Sequence, residues 1–299
     1  MEESLIPFLQ DRQIPYLEHE PLAKHSTFKI GGPAKLFCMP NSEAQLADLI
    51  SACALQKIRY YFLGKGSNVL FADAGYDGVV IHLGDGFSKI HISHTQMTVG
   101  ASASLSQVCQ AAMRAGLDGL AFAFGIPGCV GGAVYMNAGA YGGEIKDVLE
   151  SVTVLDEAGT KRVLQAQELC FGYRTSIFEH KKYCLLSATF RLQPNEPAKI
   201  KADMDEYARR RAEKQPLDMP SAGSTFKRPA GAFAGALIEQ CGLRGYAVGG
   251  AAISTKHCGF VVNTGGATCA DVLQLTDDVC RKVTAETGYC LEKEIRVVK

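Results

Sequence analysis

With 299 residues, 47% of them hydrophobic, and 31 Lys and Arg against 31 Asp and Glu, the chain is long enough to bury two cores and carries no net charge. No basic block is long enough to track a nucleic-acid backbone or an anionic membrane surface, no apolar run reaches bilayer length, and residues 1–20 carry acids rather than a secretory signal. A cytoplasmic protein without nucleic-acid or membrane partners is therefore expected, acting as a monomer, and its eleven cysteines, scattered without a C-x-x-C pair, read as small buried apolar residues rather than metal ligands or disulfides.

After an opening stretch of mixed charges and prolines, residues 27–33 form a strand and turn leading into the apolar Ala34, Leu36 and Phe37. Ser42 caps a helix whose Leu46, Leu49, Ile50, Cys53 and Ala54 recur at helical spacing, with Glu43 in the first turn where the helix dipole favours an acid. A strand at 59–63 ends in the polar loop Gly64-Lys65-Gly66-Ser67-Asn68 before Val69, Leu70 and Phe71 resume apolar character. Short strands at 79–81, 90–92 and 97–99 suggest a small, mostly antiparallel sheet, and a helix over 105–115 is closed by Gly116.

Residues 125–143, GIPGCVGGAVYMNAGAYGG, contain no charge, and the chain is organised around them. Glycines at 125, 128, 131 and 132 permit positive φ and let successive N–H groups converge on phosphate oxygens; the same residues equally suit a structural corner or tight helix–strand packing. Strands at 148–155, 162–164 and 184–192 continue the sheet, with FGYRTSIF (171–178) as an irregular piece between them.

Residues 193–197, with two prolines, are the best linker. Beyond them a charged helix over 199–214 has Met204, Tyr207 and Ala208 on its apolar side, and a solvated helix face accounts for Arg209 and Arg211 as well as any ligand does. A helix over 233–240, a strand at 259–263, a long amphipathic helix over 269–286 and a strand at 291–298 complete an α+β half. In the last strand Glu294 shares a face with Glu292 and Arg296, opposite Leu291, Ile295 and Val297.

Six segments, HSTFKIGGPA, LGKGSNVLFAD, the 125–143 stretch, FGYRTSIF, SAGSTFKRP and LEKEIRVV, occur in the order seen in the UDP-N-acetylenolpyruvoylglucosamine reductase family, which the chain resembles over nearly its whole length. The short spacing between Arg174 and Ser224 resembles the subtype that lacks an inserted substrate-covering loop. The resemblance implies an α+β protein: a two-lobed FAD-binding module of the vanillyl-alcohol-oxidase type at 1–195, with lobes at roughly 1–75 and 76–195, and a substrate-binding domain at 196–299. It implies non-covalent FAD, NADPH as hydride donor, and reduction of UDP-N-acetylglucosamine-enolpyruvate to UDP-N-acetylmuramate in peptidoglycan precursor synthesis.

By the same resemblance Arg174 and Glu294 polarise the substrate carboxylate and Ser224 protonates the intermediate. A guanidinium suits the first role because it binds a carboxylate without losing charge. Glu294 beside a second carboxylate is expected to hold or share a proton, and Ser224 needs an oriented network to donate. The flavin is expected on Gly64, Lys65, Gly66, Ser67 and Asn68, and on Gly125, Ile126, Pro127, Gly128, Gly131, Gly132, Ala133, Asn137, Gly139, Ala140 and Tyr141. Tyr173, Arg210, Lys214 and Arg228 are expected on the UDP-sugar, Arg228 standing where longer relatives often have asparagine. Rival readings are an oxidase on the same flavin module, which would commonly tether its flavin through a residue such as Cys129, and a nucleotide-binding regulator without chemistry.

Overall fold

The computed structural model describes residues 5–299, leaving the first four residues of the expected flavin module outside it. The chain divides into two compact units, one of residues 5–18, 36–64 and 78–211, the other of 19–35, 65–77 and 212–299.

The first unit has two cores. In one, helix α1 (Ile6–Asp11) contributes Leu9, and helix α2 (Glu43–Leu55) buries Leu46, Leu49, Ile50 and Cys53 against Leu36, Cys38, Val79 and Ile81. Ser42 caps α2 by accepting from the Gln45 amide at 3.2 Å. Ala54, expected on the buried stripe, lies a quarter turn off it and is exposed, and Ala52 is buried instead. Strand Tyr60–Phe62 runs parallel to residues 79–81 beside this core.

The second core lies on a five-stranded sheet ordered Lys161–Gln165, Leu149–Leu155, Cys184–Arg191, Gln96–Gly100, Ile90–Ser93, antiparallel throughout as expected for its members. The strand at 79–81, expected beside 90–92 and 97–99, is not among them and pairs in parallel with Tyr60–Phe62 instead. Helix α3 (Leu105–Arg114) starts at a reciprocal Ser104–Gln107 capping box and ends before Gly116 at φ +66, where the left-handed turn stops it. Its Val108, Cys109 and Ala112 pack with Val130 and Val134 of a short helix, α4 (Val130–Tyr135), which the periodicity of the sequence did not signal. Helix α5 (Pro197–Lys214) adds Ile200 and Met204, and just before it Gln193 and Pro194 pair with Asp118 and Leu117.

In the second unit the antiparallel sheet Ser221–Ser224, Phe260–Asn263, Ala251–Ile253, Ala247–Val248 packs on α6 (Ala234–Gln240) and α7 (Cys269–Thr287). The α7 N-terminus is closed twice: by a Thr268–Asp271 capping box, and by the Asp73 carboxylate accepting from Cys269 N at 2.7 Å and Ala270 N at 3.1 Å. The strand expected over 291–298 is split. Regular pairing is confined to Arg296–Val298, parallel to Val69–Phe71, while residues 292–294 bond instead to 225–227. A bend at Ile295 allows the change of partner, since one extended segment cannot satisfy two differently directed neighbours without it. Leu291 and Ile295 are buried, as the alternation required, but past the bend Val297 is only half-buried and Val298 is buried in its place.

Eight of the eleven cysteines are buried and all are free thiols; burial pushes Cys38, Cys53 and Cys109 up to about 12. Among the described residues no helix is long and apolar enough to cross a membrane.

Candidate active site

The charge-free stretch at 125–143 is built differently from a simple nest of glycines. Of the four glycines expected to reach positive φ only Gly125 does so, at +80, and residues 131 and 132 lie in α4. The first amides of that helix do not converge on a ligand: Val130 N donates to Ala103 O at 3.0 Å and Gly131 N to Ala101 O at 2.8 Å. Gly131 packs closely on its neighbour, since a Cβ there would sit 3.3 Å from Ala101 O, tighter than most such contacts. Gly132 is the opposite case, exposed and with only Cys129 Sγ, at 3.9 Å, near the place of a Cβ. Open, uncharged backbone surface of this kind fits a flat ring system and its phosphates.

Residues 139–144 turn back as a tight hairpin, Gly139–Ala140 pairing with Gly143–Glu144, with Tyr141 at its tip at φ +54. Against it lies the turn of Tyr173 and Arg174, closed by a bridge between Gly172 and Thr175. Arg174 stands at φ +57, a left-handed conformation uncommon for a side chain of this size. Its Nη2 donates to Gly139 O at 2.8 Å, and its Nη1 to Asn137 O at 3.5 Å. Tyr173 is exposed, with the Arg174 guanidinium carbon 5.0 Å from its ring centre. Asn137 has no exposed surface, and its side-chain amide is committed inside the protein, so any cofactor contact at this position falls to the main chain.

Arg211 of α5 departs from the solvated-face reading. It is buried, its guanidinium carbon 6.0 Å from the Tyr141 ring centre, and desolvation lowers its pKa. Tyr207, one turn earlier, stacks on Tyr141 with ring centroids 4.4 Å apart and 5° between planes, and Tyr141 Oη donates to Tyr207 O at 3.1 Å. The signal for both was present, since Met204, Tyr207 and Arg211 lie at i, i+3 and i+7. Arg210 points away to solvent, where it and Arg209 clasp Glu206 and hold its carboxyl down at about 2.

In the second unit the loop at 65–68 is held by main-chain bonds. Gly66 at φ +63 leaves no room for a Cβ beside the His25 carbonyl, and its own carbonyl accepts from Thr27 N at 3.1 Å. Asn68 connects this loop to the C-terminal segment: its Nδ2 donates to Glu294 O at 3.3 Å and its carbonyl accepts from Arg296 N at 3.0 Å. Ser224 is exposed at the end of its strand, paired with Phe260. One residue on, Thr225 O accepts from Glu294 N at 2.8 Å, so Ser224 and Glu294 stand on adjoining rungs although far apart in the chain.

Lys214 is exposed, and Arg228 lies 4.6 Å from the ring centre of Phe233, itself 62% exposed. His257 is structural in its contacts: Nδ1 accepts from Gly259 N at 3.0 Å, the ring meets Phe260 edge-on, and burial lowers its pKa. Thus Tyr173, Arg174 and the 125–141 residues gather in the first unit, and Lys65–Asn68, Lys214, Ser224, Arg228 and Glu294 belong to the second.

The open, uncharged surface at Gly132 suits a flavin, and residues 34–165 match the FAD binding domain family, which makes the chain a flavoprotein. Residues 215–298 match the C-terminal domain of UDP-N-acetylenolpyruvoylglucosamine reductase. The reductase of that name from Lachnoclostridium phytofermentans is 48% identical over 94% of this chain and 92% of its own, and that from Clostridioides difficile is 46% identical over 93% and 92%. The crystal structure of the Thermus caldophilus reductase superposes with a TM-score of 0.82 at 36% identity, covering 96% of this chain and 99% of the other. A berberine bridge enzyme variant, at 14% identity and TM-score 0.51, is similar in fold alone, over 64% of this chain and 44% of its own. The chain belongs to the UDP-N-acetylenolpyruvoylglucosamine reductase family.

Proposed function

We propose that Arg174, Ser224 and Glu294 perform the family's reaction here: the NADPH-dependent reduction of the enolpyruvyl group of UDP-N-acetylglucosamine-enolpyruvate to UDP-N-acetylmuramate, for peptidoglycan precursor synthesis. Bound FAD supplies the chemistry of accepting hydride from NADPH and passing it to the terminal carbon of the enol ether. The Gly64–Asn68 loop and the 125–141 stretch, the latter with its open surface at Gly132, are the residues to hold it.

The residues of the chain do the rest. As hydride reaches the terminal carbon, negative charge develops toward the substrate carboxylate, and a cation or hydrogen-bond donor aimed there lowers the barrier. Arg174 donates from Nη2 to Gly139 O and from Nη1 to Asn137 O, so main-chain carbonyls seat a side chain that keeps its positive charge throughout. Glu294 shares a proton with the substrate carboxylate, which removes the repulsion between the two acids. Ser224 then delivers a proton to the carbon next to that carboxylate, and its exposed position leaves the hydroxyl accessible. The observation that carries the assignment is the Glu294 N to Thr225 O bond, which sets the acid and the serine on neighbouring backbone.

Tyr173, Arg210, Lys214 and Arg228 serve the UDP-sugar in this reading; the flavin module spans 1–195 and the substrate domain 196–299, and the protein works as a cytoplasmic monomer. The test is anaerobic reduction of the yellow protein by NADPH followed by UDP-N-acetylglucosamine-enolpyruvate alone. Rapid flavin reoxidation is expected; flavin that stays reduced would refute the activity.

A further inference from the structure

We propose that Asn137 and Glu144 are positioning residues that hold the Arg174 guanidinium in its working orientation; this rests on the assignment of Arg174 above. The two carbonyls that seat the guanidinium, at residues 137 and 139, come from the segment leading into the 139–144 hairpin, which has to be held in register with the Arg174 turn. The Asn137 side chain supplies the connection. Fully buried, it donates from Nδ2 to Gly172 O at 3.0 Å, at the base of the Arg174 turn, and to Glu144 Oε2 at 3.0 Å, across the hairpin. Its Oδ1 accepts from Lys146 N at 3.0 Å. Both amide protons and the carbonyl are thus in use, so the side chain has one orientation only.

One backbone conformation depends on the same network. Asn137 is at φ +41, which an asparagine tolerates, whereas Arg174 is at φ +57, a left-handed conformation that a side chain of its size keeps only where its surroundings hold it. Glu144 completes the hub. Its Oε2 accepts from Asn137 Nδ2 and from Lys146 Nζ at 2.8 Å, and its Cγ would lie 2.7 Å from a Cβ at Gly139, the residue whose carbonyl Arg174 holds. Removing the Asn137 amide frees the hairpin from the turn, and the guanidinium then loses a fixed seat while keeping its charge.

The experiment uses the FAD-loaded full chain and stopped-flow records of both half-reactions for Asn137→Ala, Glu144→Ala, Glu144→Gln, Arg174→Ala and the double variant Asn137→Ala/Arg174→Ala. Asn137→Ala, measured per bound flavin, is expected to slow reoxidation by the enolpyruvyl substrate about 10- to 100-fold more than it slows reduction by NADPH, the scale of a misplaced catalytic group. Glu144→Ala should lose about tenfold, and Glu144→Gln, which keeps the acceptor, should recover most of it. In the Arg174→Ala background the Asn137 substitution should add less than about twofold, since a residue acting through another has nothing left to position.

Penalties that multiply in the double variant, equal slowing of both half-reactions, or wild-type reoxidation by both Asn137→Ala and Glu144→Ala alongside a slow Arg174→Ala would overturn the proposal alone. An Arg174→Ala that reoxidises normally overturns the assignment of Arg174 itself, and the proposal with it. Glu144 is partly exposed, so its two variants decide the matter even if Asn137→Ala fails to fold.

Discussion

Arg174 stands on a strained turn whose surroundings are joined by side-chain hydrogen bonds from a buried asparagine, whereas Ser224 ends a strand whose register is set by main-chain bonds to Phe260 and, one residue on, to Glu294. The difference teaches where each site is vulnerable. A main-chain ladder places whatever side chain occupies the position, so at Ser224 only the hydroxyl itself matters. A side-chain network depends on residue identity at several positions, so the arginine can be disabled from a distance.

The comparison is sharpened most by Ser224→Ala. Stability should stay within about 0.5 kcal/mol of wild type, as for an exposed substitution that leaves the ladder intact. Reoxidation by the enolpyruvyl substrate should fall by roughly two to four powers of ten with reduction by NADPH unchanged, the scale of a lost general acid. Ser224→Cys should restore part of the rate; an alanine variant that reoxidises normally would move the proton donor elsewhere.

Next in size, Arg174→Lys should retain flavin and NADPH oxidation but slow the second half-reaction by about 10- to 100-fold, because an ammonium cannot reproduce the planar fork. At the same position Arg174→Gly should melt later than Arg174→Ala, by about 1 kcal/mol, if the φ of +57 is a real strain. Equal melting curves would argue that the turn relaxes.

The glycines give a third test. Gly66→Ala should cost about 1–3 kcal/mol, because its φ is left-handed and the His25 carbonyl occupies the space of a Cβ. Gly132→Val, at an open and exposed helical position, should fold with little change in melting temperature yet come off the column colourless. A yellow Gly132→Val protein would remove this surface from the flavin site. The smallest effect expected is from Tyr141→Phe, about 0.5–1.5 kcal/mol for one hydrogen bond, with the stack on Tyr207 kept. Calorimetry of the holoprotein would measure it.

Much of this protein was determined by local pattern alone. The cap at Ser42, the stop at Gly116, the buried stripe of α2 and the antiparallel strands of the second core follow from periodicity and end signals that act over a few residues. The ordered motifs were equally legible, and they led to the right family. Tertiary structure decided what depends on distant partners. Whether Gly131 serves a ligand or packs on Ala101, whether Arg211 is solvated or buried under Tyr141, and where the C-terminal strand changes neighbours are each set by a segment remote in sequence. The commitment of Asn137 to Gly172 and Glu144 is of the same kind: a hydrogen bond across 35 residues leaves no periodic trace, because only the fold brings its donor and acceptor to 3.0 Å.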